Sequence, residues 1–124
     1  MEELVARITA ATGLDAETAT RAIGLVLTFL KKEGPQLEVG QLVAALPGAD
    51  ELIASTASAT SGEAMGIAGG GGLMALAGEL TGAGLDMGQM QALGKELFAY
   101  ARERAGEDLV GQIVGAVPGL GQFV

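Results

Sequence analysis

The chain has no cysteine and no histidine among its 124 residues. The first absence excludes disulfides and thiolate metal sites. The second removes the commonest general base and metal ligand. Tryptophan is also missing, and the aromatic residues are Phe29, Phe98, Phe123 and Tyr100 alone. A core must therefore be built from Leu, Ile, Val, Met and Ala, small side chains that suit helix–helix packing. Basic residues are few: seven Lys and Arg against 15 Asp and Glu give a formal charge of −8. Nucleic-acid binding needs a basic stripe to neutralise phosphates, and Lys31-Lys32, Arg102 and Arg104 do not make one, so no nucleic-acid partner is expected. The longest uncharged runs, Ala64–Gly78 and Leu109–Val124, fall short of the roughly 20 apolar residues of a membrane span, and no integral span is expected. The first residues, MEELVARITAATG, begin acidic rather than with the basic start and apolar core of a secretory signal. A cytoplasmic location is the expectation.

What is present is apolar residue, at 49%, and glycine, at 21 residues, well above the ordinary share. The organisation behind it is a repeat. VGQLVAALPG at Val39–Gly48 returns as VGQIVGAVPG at Val110–Gly119. With the chain shifted by 71 residues, 13–53 aligns on 84–124 without a gap and with ten identities in 41 positions. The matches cluster at caps and turns, which chance pairing of Gly, Ala and Leu would not produce: Gly13-Leu14-Asp15 falls on Gly84-Leu85-Asp86, and Pro47-Gly48 on Pro118-Gly119.

Each unit parses as three helices. In the first unit, Leu4, Val5, Ile8 and Ala11 mark a helix over Glu2–Ala11. Gly13 stops it in the left-handed region and Asp15 caps the next. A helix over Ala16–Glu33 carries Ala19, Ala22, Ile23, Val26, Phe29 and Leu30 at sustained helical spacing, widened by Leu25 and Leu27 into the most buried element. Pro35 begins a third helix, Pro35–Leu46, with Leu37, Val39, Leu42, Val43 and Leu46 apolar. A short helical turn over Asp50–Ala54 follows, capped by Ala49 or Asp50. The second unit repeats the plan over Gly72–Leu80, Met87–Arg104 and Glu107–Val117. Its stripe is Met90, Leu93, Gly94, Leu97, Tyr100 and Ala101, and Asp86 with Gln89 forms a capping box. The expected fold is all-α, two pseudo-symmetric three-helix units packed into a compact helical bundle. Residues 1–54 form the first unit and 73–124 the second. Between them, 55–72 is a Ser/Ala/Gly-rich connection that composition reads as a flexible linker, though Ser61 could cap a short helix within it.

The chemistry-bearing residues are all explained by structure. Glu2-Glu3, Asp50-Glu51 and Glu107-Asp108 are adjacent carboxylate pairs, but each sits at a helix start, where negative charge meets the positive end of the helix dipole. No calcium loop occurs. The glycine run at 69–72 follows no strand and precedes no Lys-Ser/Thr, so it fails the context of a phosphate loop. No catalytic, cofactor or metal residues are expected, and the chain is not read as an enzyme. The glycines inside helices are the exception. Gly40 and Ala44, like Gly111 and Gly115, stand four apart, and each glycine costs a helix about 1 kcal/mol against alanine. Compensation by close approach of another backbone is expected, with the third helices meeting each other about the pseudo-twofold or meeting a neighbouring chain. These four residues are the candidate interaction site.

TGLDAETATRAIGLVLTFLKKE followed by LVAALPGADELI resembles the bacterial VcgC/VcgE family of helical proteins of unknown function. LTFLKK with VGQLVAALP is also similar to a second bacterial family whose tandem helical units end in a like Leu-Pro. The likeness covers 13–53 and 84–124. The chain departs from the first family in that its opening residues do not read as a leader peptide. The resemblance implies an all-α fold and carries no activity or site residue.

The function expected from these observations is a non-catalytic structural or protein-interaction module, self-associating. The alternative is a carrier of an apolar small molecule or lipid in a cleft between the two units, lined by the adaptable side chains of Met65, Met74, Met87 and Met90.

Overall fold

The longest apolar periodicity builds the centre of the molecule. In the computed structural model, which describes residues 2–55, 72–117 and 121, the helix α2 (Ala16–Glu33) buries every residue from Ala22 to Leu27. A helix apolar all round must be enclosed by others, and α2 touches α1 (Glu2–Thr12), α3 (Gln36–Ala45), α5 (Gly72–Gly82) and α6 (Met87–Ala105). A short helix, α4, covers residues 49–55, and α7 (Glu107–Ala116) closes the order. The protein is an all-α bundle, with no strand among the described residues. None of these helices is long and apolar enough to cross a membrane.

The stripes of the two long helices are buried as expected. Ala19, Ala22, Ile23, Val26, Phe29 and Leu30 join Met90, Leu93, Leu97, Tyr100 and Ala101 in one core, and Gly94 is buried beside them. α1 lies antiparallel on α6. Glu3 pairs with Arg104 at 3.2 Å and Arg7 with Glu103 at 3.1 Å, while Gln89 Nε2 donates to the Thr12 carbonyl at 3.1 Å near the other end. α5 lies against α2, and α3 packs on α2, α6 and α7.

The turns follow from particular residues. Gly13 and Gly84, 71 positions apart, both take positive φ, +79° and +106°, which side-chain-bearing residues adopt at a cost. Asp15 Oδ1 accepts from Thr18 N–H at 2.9 Å, and Asp86 and Gln89 complete a reciprocal capping box. Gly34 ends α2 for a different reason. Its φ is ordinary, but an added Cβ would lie 2.7 Å from the Leu30 carbonyl oxygen and 2.9 Å from Val39 Cγ2. Gly34→Ala will therefore destabilise the fold by about 1–3 kcal/mol, as overpacking does. Urea unfolding read by circular dichroism measures it, and an unchanged midpoint would show that α2 and α3 approach less closely than this.

Several details differ from the sequence reading. Pro35 is the residue before α3, in extended conformation, and not its first helical residue. α4 starts at Ala49, directly after Gly48, whose φ of +83° makes the turn. Ala11 is exposed, because α1 needs only Leu4 and Ile8 fully buried to seat on its neighbours. Leu37 is 70% exposed, since it lies one turn from the buried Val39, Leu42 and Val43 on the opposite side of α3. The connection at 56–71, with Ser61, Met65 and the first glycines of the run, lies outside the described residues, as do Pro118, Gly119 and Phe123.

Candidate functional site

α3 and α7 do pack against each other, but not through the residues singled out in the sequence. Their buried faces are Val39, Leu42 and Val43 on one side and Val110 and Ile113 on the other. Gly40, Ala44, Gly111 and Gly115 are all exposed. A Cβ added at Gly40, Gly111 or Gly115 would meet nothing within 4 Å. Among the described residues no backbone comes close there, so the close approach expected between the third helices is not seen between α3 and α7. The branched side chains of the inner faces set the α3–α7 separation, and the glycines point away from it.

The outward faces of these helices have a common make-up. On α3, Leu37, Gly40, Gln41 and Ala44 stand at i, i+3, i+4 and i+7 and are all exposed. On α7, the residues 71 positions on are Asp108, Gly111, Gln112 and Gly115, again all exposed. Of these eight side chains only Asp108 is charged, on a chain whose net charge is −8. The two stripes are thin and, Asp108 apart, uncharged, and no described residue covers them.

A concavity lies elsewhere. An open groove of about 750 Å³ runs between α1 and α4 over the start of α2. α1 contributes Glu2, Val5, Ala6 and Thr9, and α2 contributes Ala16 and Thr20. The turn into α4 and α4 itself contribute Pro47, Gly48, Glu51, Leu52 and Ser55. All of these lie within the first 55 residues, so this is not the cleft between units expected of a carrier. Among the described residues no methionine lines it. Met90 is core filler, Met87 is 63% exposed, and Met65 and the side chain of Met74 lie outside the described part of the structure. The sequence reading missed this groove. The signal was there in Glu2, Val5, Ala6 and Thr9, a second stripe on α1 beside the buried Leu4 and Ile8.

A polar cluster was missed as well. The Tyr100 ring, buried on α6, lies beneath two guanidinium groups, with Arg7 at 5.9 Å and Arg104 at 5.1 Å from its centroid. Arg7 also reaches Glu96 at 3.4 Å. Its hydrogen bond to Glu103 raises the guanidinium pKa above its ordinary value, against an opposing effect of burial. Asp15 is held below the usual carboxylate range, first by the Thr18 hydroxyl and then by the Thr18 N–H, as befits a cap that must stay ionised. Both effects belong to helix ends and helix contacts. The carboxylate pairs Glu2-Glu3 and Glu107-Asp108 sit in first turns and are exposed. Among the described residues no group of three or more acidic side chains could hold a metal ion.

Among the described residues the geometry thus offers two surfaces, the outward faces of α3 and α7 and the groove between α1 and α4. In comparisons with models of protein families, with curated proteins and with solved structures, nothing matches the chain.

Proposed function

We propose that the protein is a non-catalytic interaction module that self-associates through the outward faces of α3 and α7. The observation that carries this reading is the exposure of Gly40, Gly111 and Gly115 inside helices, with open space where a side chain would be. Each costs its helix about 1 kcal/mol against alanine, and no described residue packs there to offset it. Close approach of a second copy would. The low charge of both stripes, where only Asp108 is ionised, supports the same reading, since two chains of charge −8 repel least where charges are few. The exposed Leu37 adds apolar area at the edge of the patch.

The module is read as two copies of one three-helix unit about a pseudo-twofold axis, with the first helices exchanged. Three correspondences support it. The contact of α1 with α6 has its counterpart in α5 with α2. That of α2 with α3 has its counterpart in α6 with α7. The residues closing α3 and α7, Leu46 and Val117, share a conformation, with φ −102° and ψ 109° in one and φ −104° and ψ 112° in the other. An axis of this kind would give both third helices the same outward role.

Sedimentation velocity over a concentration series tests the function. The chain is expected to associate reversibly, and more strongly as salt screens the like charges. Gly40→Glu with Gly111→Glu is expected to give monomers that melt no lower than the parent. A parent that stays monomeric at every concentration, or a double variant that associates like the parent, would sink the reading.

A further inference from the structure

We infer that the groove between α1 and α4 is the seat of one basic amphipathic helix from another protein. This goes beyond self-association and uses a different surface. The shape comes first. The wall from α1 is Glu2, Val5, Ala6 and Thr9, at i, i+3, i+4 and i+7. The facing wall is Gly48, Glu51, Leu52 and Ser55, at the same spacing. The floor is Ala16 and Thr20, at i and i+4. Three helices therefore turn one stripe each toward a shared trough about two turns, or ~10 Å, long. The small wall residues of this open trough permit the interaxial distance of ~8–10 Å at which helices pack.

Charge then selects the occupant. The half-buried Val5 and Leu52 give an apolar strip, and Glu2 and Glu51, both exposed, stand on opposite walls. No Lys or Arg is among the lining residues. A helix laid along the strip with apolar residues inward would place its flanks against the two carboxylates, so its flanking residues must be basic. A second copy of this chain is disfavoured, because it carries a net −8 and meets an acidic rim. The partner is a helix-in-groove ligand of opposite charge.

The test uses the full chain and a labelled peptide of about four helical turns, with Leu and Ala on one face and Lys on both flanks. A sibling peptide carries Glu for every Lys. Fluorescence anisotropy is expected to show binding of the Lys peptide, weakening with salt, and none of the Glu peptide. Glu2→Lys with Glu51→Lys should weaken binding at least about tenfold, as the removal of paired rim charges does. The milder Glu2→Gln with Glu51→Gln should fall between, and guards against a folding defect. Amide shifts in nuclear magnetic resonance should map to Val5, Ala6 and Leu52. Equal binding of the two peptides, no binding, no response to the charge variants, or shifts elsewhere would each overturn the inference. So would spermine producing the same shifts with equal affinity, which would make the groove a small-cation site. The two surfaces fail separately, because self-association strengthens with salt and the Gly40→Glu, Gly111→Glu variant leaves peptide binding unchanged.

Discussion

Tyr100→Ala will destabilise the protein by about 3–5 kcal/mol, the range for removing a large buried ring. Tyr100 is 2% exposed and is among the largest fully buried side chains of the chain. It lies on α6 where α1 packs, and its ring is approached by Arg7 from α1 and by Arg104 from its own helix. Truncation removes the core contact and both cation–π contacts, each worth about 0.5–1 kcal/mol at sites open to water. The exposed ion pairs of the same cluster add little by comparison, because such pairs are screened and hold long side chains in place at an entropic cost. A domain of this size holds only about 5–15 kcal/mol in total, so the substitution takes a large share of it. Tyr100→Phe keeps the ring and should cost under about 1 kcal/mol, as volume-conserving changes do. Guanidinium unfolding of both variants decides the matter. Equal losses would assign the effect to the hydroxyl, and two negligible losses would mean that α1 is not held to α6 by this ring.

That cluster also shows where sequence reading stops. The stripes of α2 and α6 were legible because burial on one helix repeats every three to four residues, whatever the partner. Gly13, Asp15, Asp86 and Gln89 were legible because caps act within a single turn of chain. The pairing of Arg7 with Glu96 and Glu103 joins residues some 90 positions apart, and nothing local to Arg7 announces it. Leu37 reads as one of the apolar residues of the third helix, yet the buried stripe of α3 is complete with Val39, Leu42 and Val43. Gly34 was legible as a stop but not as a contact, since one of the two neighbours that crowd it, Val39, belongs to the next helix. For the candidate site the same limit applied in reverse. The glycine spacing on α3 and α7 identified an unusual helix face, but spacing does not say whether that face turns inward or outward. The direction was set by Leu42, Val110 and Ile113, which claim the interior.

On α7 this division of faces predicts opposite signs two residues apart. Ile113→Ala will cost about 2–5 kcal/mol, because Ile113 is fully buried where α7 meets its neighbours and the vacated volume cannot close completely. Gly111→Ala will instead stabilise the isolated chain by up to about 1 kcal/mol. The added methyl meets nothing within 4 Å, and the helical φ needs no glycine. Thermal unfolding at low protein concentration reads both signs on the monomer. The second sign also bears on function. If Gly111 were only an imperfection, Gly111→Ala would improve the protein at every concentration. If its thin face admits a second copy, the same methyl stabilises the monomer and weakens association, so the gain in melting temperature should shrink or reverse as the concentration rises. A gain that is constant across the series would remove the reason for reading α3 and α7 as an interface. A gain that is lost on association would show that the glycine is retained for the assembled state and not for the fold of one chain.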